Sequence, residues 1–266
     1  MSRKQISFTP VILLLCVLCT HSVYARKLCF AGERNGWMLG TDAQVYHSVD
    51  GGVTWSVQTQ RDGSYQLEAV DFADENTGWV VGAKGIIRHT QDGGVNWLPQ
   101  NSGVNRDLID VDFVDKVSGW AIGAKGAVLS TADGGRTWRI HEAVVSCELK
   151  AIHIVDPKTI WIIGSAGVLL YTDDGGAKWQ QRKIEYGDQK TWTQELLALD
   201  FVDKNNGWIT TDSGMIFHTG DGGQTWQRQN TGTGASIYSV DFITQDVGCA
   251  AGDYGTVIWT NDGGKT

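Results

Sequence analysis

Residues 78–97 read Gly-Trp-Val-Val-Gly-Ala-Lys-Gly-Ile-Ile-Arg-His-Thr-Gln-Asp-Gly-Gly-Val-Asn-Trp, and this stretch recurs along the chain with constant internal spacing. Each copy opens on an aromatic residue, or on Cys in the last copy: Trp37, Trp79, Trp120, Trp161, Trp208 and Cys249. Thirteen residues later comes the Asp of an Asp-Gly-Gly: Asp50, Asp92, Asp133, Asp174, Asp221 and Asp262. Five residues beyond that Asp stands a closing Trp: Trp55, Trp97, Trp138, Trp179 and Trp226. A fixed period of this length indicates a repeat architecture.

Each unit of about 41 residues contains four short strand candidates separated by turn compositions. In the second copy the candidates are 67–72, 78–81, 86–90 and 96–100. Four antiparallel strands per repeat of 40-odd residues are typical of a β-propeller blade, whereas the coils of an open β-solenoid are usually much shorter. The sequence therefore predicts an all-β propeller of four-stranded antiparallel blades, with six blades visible and the sixth truncated.

The N-terminus has the pattern of a secretory signal peptide. Arg3 and Lys4 precede an apolar run over 11–19, and a small residue, Ala25, follows. Nine apolar residues are far fewer than the roughly 20 that a membrane-spanning helix needs. Cys19 leaves a lipoprotein signal open, although Leu18 fits that signal poorly. We expect a signal peptide at 1–25, a propeller domain at 26–266, and an exported protein in the periplasm or secreted.

The charge balance argues against one class of function, and the spacing of the cysteines does not indicate a metal site. The chain carries 22 basic and 30 acidic residues, and removal of residues 1–25 takes away two of the basic ones, so the mature net charge is −10. Such a balance argues against general nucleic-acid binding, which needs basic patches. Of the five cysteines, the three that lie beyond residue 25, Cys29, Cys147 and Cys249, lack a metal-ligand spacing, and which two of them could form a bridge stays open.

The Asp-Gly-Gly turn is interpreted as structural. An Asp at a turn accepts hydrogen bonds from the backbone that follows, glycines adopt positive φ, and the closing Trp packs its ring. Calcium binding is the alternative, since Asp173 and Asp174 are paired acids, but the alternating oxygens and distal Glu of a calcium-hand loop are missing. No metal and no cofactor is expected.

The Ser/Thr-x-Asp-Gly-Gly-x-Thr-Trp pattern resembles the Asp-box, or bacterial neuraminidase repeat. The longer motif, Val-Asp-Phe followed by Gly-Trp-Val-Val-Gly and the Asp-Gly-Gly turn, closely resembles the photosystem II stability/assembly factor family over roughly residues 28–266. That resemblance implies a non-catalytic seven-bladed propeller that helps to assemble membrane complexes. It also implies the thylakoid lumen as location if the organism is photosynthetic.

A glycoside hydrolase of the sialidase type is the enzymatic alternative, because such enzymes also carry Asp-boxes. Hydrolysis needs two converging carboxylates, or a Tyr with an acid. The most suggestive acids lie inside the Val-Asp-Phe motif and its variants, where their recurrence favours a repeated structural hydrogen bond: Asp71, Asp112, Asp200 and Asp241. Cys29 and His153 take that place in the other two units. Carbohydrate binding through Trp192 or Trp259 is a further alternative.

Protein binding is the preferred hypothesis. Strand alternation places the second-to-third turns and the blade-to-blade connections on the face opposite the Asp-Gly-Gly turns. Departures from the repeat gather there, in the turns that carry Lys84, Lys125 and Tyr254 and in a polar insertion, 183–192, that carries Tyr186 and Trp192. Tyr and Trp are typical interface anchors. We expect a protein partner, for example a membrane complex or its subunits; ordinary solvated surface is the alternative for each residue.

Overall fold

A computed structural model describes residues 27–40, 44–58, 66–142, 144–186 and 190–265. The described chain divides into two compact units, Met1–Ala143 and Val144–Thr266, and each is described by itself. Across these described ranges, no helix has the length and apolar character needed to cross a bilayer. The signal peptide expected at 1–25 lies outside the described residues, so it stays a prediction.

Unit 1 consists of three blades, each an antiparallel meander of four strands in sequence order. The first blade is β1 (Leu28–Ala31), β2 (Asn35–Leu39), β3 (Val45–Ser48) and β4 (Ser56–Val57). The second blade is β5 (Leu67–Phe72), β6 (Gly78–Gly82), β7 (Ile86–Thr90) and β8 (Leu98–Asn101). The third blade is β9 (Leu108–Phe113), β10 (Gly119–Gly123), β11 (Ala127–Thr131) and β12 (Arg139–Ile140).

Unit 2 carries three more blades and a small ribbon. The fourth blade is β13 (Leu149–Ile154), β14 (Ile160–Gly164), β15 (Leu169–Thr172) and β16 (Gln180–Arg182). The ribbon is β17 (Glu185–Tyr186) and β18 (Lys190–Thr191). The fifth blade is β19 (Leu196–Phe201), β20 (Gly207–Thr211), β21 (Ile216–Thr219) and β22 (Gln227–Gln229). The described strands of the sixth blade are β23 (Ile237–Phe242), β24 (Gly248–Gly252) and β25 (Val257–Thr260).

These strands confirm the all-β propeller fold class with four-stranded antiparallel blades. The four strands expected in the second copy are all present, with bounds that differ by two residues at most. The insertion at 183–192 differs from the expected loop, because part of it forms the ribbon, in which Glu185 pairs with Thr191. The prediction of seven blades for a complete chain stays a prediction.

Four of the second strands lie in the core. All five residues of β6 are buried, as are all five of β10, β14 and β20. Gly78 begins β6 beneath the ring of Phe72, where an added Cβ would lie 2.6 Å from the ring carbon Cδ1. Glycine is therefore needed before the Trp, since any side chain there would displace the phenyl ring.

A three-ring stack joins one blade to the next. Trp37 of the first blade lies between His47 of its own third strand and Phe72 of the second blade, with ring centroids 4.7 Å and 3.6 Å away. The same stack recurs between the second and third blades and between the fifth and sixth: His89–Trp79–Phe113 and His218–Trp208–Phe242. These rings bury a large apolar area between blades, which is the main stabilising term for such repeats.

Two blades fill the outer place of the stack differently. In the third blade, Ser130 replaces the histidine of the third strand, and His141, the residue after the fourth strand, lies 4.7 Å from Trp120. In the fourth blade, the guanidinium of Arg182 lies 5.3 Å from the Trp161 ring and 4.1 Å from the Tyr171 ring. The site on the indole thus accepts either an imidazole or a permanent cation, as expected for an aromatic face.

Candidate functional site

The Asp-Gly-Gly turns close upon themselves through hydrogen bonds. In the third blade, the Thr131 hydroxyl donates to Asp133 Oδ1 at 2.8 Å and accepts from the Gly135 N–H at 2.8 Å. Asp133 also accepts from the Thr137 backbone N–H at 2.9 Å and from the Thr137 hydroxyl at 2.6 Å. Gly134 and Gly135 have φ of 72° and 82°, values that favour glycine. The turn therefore uses the carboxylate internally.

The other five boxes repeat this arrangement, with the hydroxyl and carboxylate supplied by Ser48 and Asp50, Thr90 and Asp92, Thr172 and Asp174, Thr219 and Asp221, and Thr260 and Asp262. Hydrogen bonds from the side chain and the backbone of Thr137 lower the pKa of Asp133 to about 2. Among the residues that the structure describes, no group of three or more His, Cys, Asp or Glu side chains is arranged to hold a metal ion.

Three of the closing Trp residues pack against rings of the inter-blade stacks. Trp97 meets the Phe72 ring edge-on at 5.8 Å, and Trp138 meets the Phe113 ring in the same way at 6.0 Å. Trp226 lies edge-on to Phe201 at 6.1 Å and is buried. Trp55 donates its Nε1–H to the Gly52 carbonyl at 3.0 Å. Trp179 is half-buried. The rings of Trp97, Trp138 and Trp226 therefore serve packing, as the repeat predicts.

The aspartates of the first strands also serve the junctions between blades. Asp71 Oδ2 accepts the Phe113 N–H of the next blade at 2.8 Å, and Asp200 Oδ2 accepts the Phe242 N–H at 2.7 Å. Cys29 stands at the equivalent place in the first blade and donates its Sγ–H to Asp71 Oδ1 at 3.3 Å. The predicted structural hydrogen bond is thus confirmed at Asp71 and Asp200.

The second-to-third turns form the opposite end of each blade from the Asp-Gly-Gly turns, because the third strand runs between the two. We call these the turn end and the box end. At the centre of four second-to-third turns is a non-glycine residue with positive φ: Lys84 (57°), Lys125 (56°), Ala166 (58°) and Tyr254 (58°). All four residues are exposed. Non-glycine residues adopt this conformation uncommonly and at a cost, so it depends on support from the surroundings.

In two of these turns, an acidic residue that precedes the next blade supplies that support. Asp107 Oδ1 accepts the Lys84 N–H at 2.8 Å, and Glu195 Oε1 accepts the Ala166 N–H at 3.4 Å. Arg106 donates to the Lys125 carbonyl at 3.2 Å. Sequence reasoning missed these partners, although an acid immediately before a first strand was visible at Asp107, Glu148 and Glu195.

The structure separates the residues that the sequence proposed for binding. Lys84 and Lys125 lie at turn ends in unit 1, and Tyr254 lies at a turn end in unit 2 with 96% of its surface exposed. Trp192 is only 4% exposed and meets the Phe217 ring edge-on at 5.2 Å. Its indole is therefore part of the core and not an accessible anchor. Tyr186 belongs to β17, and its side chain lies outside the described part.

The ribbon is attached to the core through the buried Trp192. The Trp192 N–H donates to the Ile184 carbonyl at 2.8 Å, and Ile184 is 1% exposed. A Cβ added at Gly167, in the second-to-third turn of the fourth blade, would lie 2.3 Å from the Trp192 carbonyl oxygen. The ribbon thus stands directly beside a turn end. In the sequence, the apolar Ile184 followed by the charged Glu185 was the pattern that could have predicted a strand here.

Repeated four-stranded blades, Asp-boxes closed by hydrogen bonds and ring stacks between blades define an Asp-box β-propeller. The family model described as photosynthesis system II assembly factor YCF48 matches residues 18–101, 97–186 and 145–233. The chain belongs to this family. Among curated proteins, none matches the sequence.

Solved structures share the fold. YCF48 from Cyanidioschyzon merolae is 22% identical over 90% of this chain and 82% of its own, with a TM-score of 0.70. The structure titled "YCF48 bound to D1 peptide" is 20% identical over 91% of this chain and 92% of its own, with a TM-score of 0.56. A GH74 xyloglucanase from Xanthomonas campestris is 11% identical, with a TM-score of 0.71, and the match covers 90% of this chain and 45% of the xyloglucanase.

Proposed function

We propose that this chain is a non-catalytic scaffold that binds a protein partner through the turn ends of its blades. Its family is described as an assembly factor, and one structure of similar fold is titled as bound to a peptide. A comparison of the two ends of the repeated blades supports this proposal. The Asp-box turns use their hydroxyl and carboxylate groups internally, whereas the turn ends expose side chains that differ among the blades.

The observation that carries this proposal is the set of exposed non-glycine residues held at positive φ. Glycine would adopt the conformation of Lys84, Lys125 and Tyr254 without strain, and it would lose no buried contact there. A side chain that costs folding free energy and reaches into solvent has its use outside the fold. Two are lysines, whose charge selects a partner surface of opposite sign, and one is a tyrosine, a residue type enriched among interface anchors.

The partner we infer is a protein, and a subunit of a membrane complex is the class that the family description favours. D1 peptide is the ligand named for the relative, and it serves here as the first candidate. We further propose an exported location, in the periplasm or secreted, or in the thylakoid lumen if the organism is photosynthetic. The signal peptide pattern at 1–25 supports export.

Glycoside hydrolysis is the second candidate, because the GH74 xyloglucanase has a similar fold. A hydrolase needs two carboxylates available to substrate. Asp71 and Asp200, two of the recurrent acids, each accept a backbone N–H of the next blade. This use of both side chains supports the scaffold. Release of reducing sugar from xyloglucan or of sialic acid from a sialoside by the purified chain would support the enzyme instead.

A charge-reversal experiment tests the scaffold. The double variant Lys84→Glu/Lys125→Glu changes two exposed turn-end side chains. The matched control, Arg136→Glu/Lys178→Glu, makes the same change in net charge at two box ends, where both side chains are exposed. Cross-linking in the exported fraction, followed by mass spectrometry, should show partner capture by the wild type and the control and reduced capture by the turn-end variant. Equal capture by both variants would refute the turn-end surface.

A further inference from the structure

The turn end of the sixth blade presents an aromatic ring almost wholly to solvent. Tyr254 is 96% exposed and is held at φ 58°. The equivalent residues Lys84, Lys125 and Ala166 are also exposed, so exposure is a property of this turn position. A phenol ring that packs against so little of its own chain contributes little hydrophobic stabilisation to the fold.

A second tyrosine lies beside this turn. Tyr238, on β23, is 56% exposed, and its hydroxyl donates to Asp253 Oδ2 at 3.0 Å. Asp253 is the residue immediately before Tyr254, so the carboxylate that holds the Tyr238 hydroxyl belongs to the same turn as Tyr254. A hydrogen bond with the Ser236 side chain lowers the pKa of Tyr238, but the Asp253 carboxylate and burial together raise it by more. The phenol therefore stays protonated at neutral pH and keeps its hydrogen bond.

The backbone beneath the two rings is fixed. The Asp253 N–H donates to the Ser236 carbonyl at 2.9 Å, and the Asp253 carbonyl accepts the Thr256 N–H at 3.0 Å. Ser236 Oγ donates to the Asp212 carbonyl of the fifth blade at 2.9 Å. The backbone that carries these side chains is therefore ordered before any partner arrives, which lowers the entropic cost of binding.

The charge of this region has one sign. Two acids stand in adjacent second-to-third turns here: Asp253 in the sixth blade and the exposed Asp212 in the fifth, whose carbonyl accepts the Ser236 hydroxyl. Residues 230–259 contain no Lys, Arg or His. Aromatic faces attract ammonium and guanidinium groups, and a nearby carboxylate strengthens that attraction. Charge complementarity therefore selects a cationic partner.

We propose that Tyr254, Tyr238 and Asp253 form a docking patch for a lysine- or arginine-bearing segment of a protein partner. This inference rests on the proposed scaffold function and adds the chemistry of the partner at one turn end. The partner's cation lies against a phenol ring and the Asp253 carboxylate. Lys84 and Lys125, in unit 1, favour the opposite charge, so one scaffold offers two surfaces of different selectivity.

Fluorescence anisotropy with two labelled peptides tests the patch on the full chain. The basic probe is Gly-Ser-Lys-Gly-Arg-Gly-Lys-Ser-Gly, and the acidic probe has Glu at its three charged positions. We expect the basic probe to bind at least about tenfold more tightly, and Tyr254→Gly to lose about tenfold of that affinity, as for an aromatic anchor. Equal binding of the two probes would overturn the proposal.

Tyr254→Gly is informative because it removes the phenol ring and leaves the net charge of the protein unchanged. Loss of affinity in this variant thus reports the aromatic face and not general attraction to an acidic protein. Glycine also suits φ 58°, so the variant should fold at least as well. The matched control is Ala166→Gly, which makes the same backbone change in the fourth blade. If both glycine variants bind the basic probe equally, Tyr254 is not part of a docking patch.

Asp253→Asn and the cross-linking experiment separate the possible failures. Asp253→Asn should weaken basic-probe binding and reduce its dependence on salt, since the carboxylate supplies the charged contact. An unchanged affinity would overturn the role of Asp253. One outcome would overturn the docking patch but support the scaffold. In it, partner capture decreases in Lys84→Glu/Lys125→Glu, while Tyr254→Gly binds the basic probe with the affinity of the wild type. If the turn-end variants capture partners as well as the wild type, the scaffold proposal itself falls.

Discussion

The indole of Trp79 lies parallel to the phenyl ring of Phe113, with 3.4 Å between the ring centroids and 4° between the planes. The two residues belong to neighbouring blades, and the Trp79 Nε1–H also donates to the Gly134 carbonyl of Phe113's blade at 3.1 Å. One side chain therefore supplies apolar contact and a buried hydrogen bond across the same junction. Because each blade cannot cover its own faces, the stability of the repeat depends on such junctions.

Phe113→Ala should strongly destabilise unit 1. The substitution removes the ring that stacks on Trp79 and that meets Trp138 edge-on. For a buried Phe the expected loss in the free energy of unfolding is about 3–5 kcal/mol. Urea denaturation followed by tryptophan fluorescence measures it. Val114→Ala is the neighbouring control, because Val114 is 39% exposed, and a shift as large as that of Phe113→Ala in this control would contradict the assignment.

Gly78→Ala should destabilise the second blade although it adds only a methyl group. The new Cβ would lie 2.6 Å from the Phe72 ring carbon Cδ1, a distance at which something must move. Overpacking of this kind costs about 1–3 kcal/mol. Gly234→Ala is the control, since nothing lies within 4 Å of its added Cβ. Thermal unfolding should show a lower midpoint for Gly78→Ala alone.

The fold could be predicted from the sequence because its signals are local. Trp79, Asp92 and Trp97 stand at constant separations, and the turns between them carry glycines that need positive φ, such as Gly93 and Gly94. Each strand is set by neighbours a few residues away. The exposure of Tyr254 followed from the same logic, since the centre of a second-to-third turn points outward.

The environment of Trp192 could not be predicted, because it depends on residues far along the chain. The indole looked like a departure from the repeat and hence a surface anchor. In the structure the indole packs into the core of unit 2 against Phe217. Ile184, the residue before β17, belongs to the same core. The sequence also did not predict that Tyr171 and Arg182 would take the place of a stacked histidine beside Trp161. That arrangement depends on side chains from different strands.

Thr131→Val should destabilise the Asp-Gly-Gly turn of the third blade. Valine has nearly the same shape as threonine but cannot accept the Gly135 N–H or donate to Asp133. Leaving a buried N–H without its acceptor costs about 1–3 kcal/mol. The exposed Thr193 provides the control variant Thr193→Val. Equal urea midpoints for the two variants would mean that the hydroxyl of Thr131 does not secure the turn.

Stability should fall as the pH drops below neutrality, because the stacked histidines are neutral in the folded protein. Burial lowers the pKa of His47, and burial together with the charge of Arg136 lowers the pKa of His89. For His218, burial is again the larger cause, and Lys265 adds to it. A base whose pKa is lower in the folded state binds protons more readily when unfolded. Its stabilising contribution is therefore complete above pH 6.5 and is lost as the pH falls toward the lowered value.

Titrating one stack isolates this effect. The groups that face His89 are the aromatic Trp79, on which it lies, and the cationic Arg136. His89→Gln removes the titration, so the change in unfolding free energy between pH 7.5 and pH 5.5 should be smaller in the variant than in the wild type. The Asp-box carboxylates do not interfere, because the pKa values of Asp50 and Asp133 are about 2 and their contribution persists until the pH falls below about 3.8. Urea midpoints at the two pH values measure the difference. An identical loss in both proteins would mean that protonation of His89 is not coupled to unfolding.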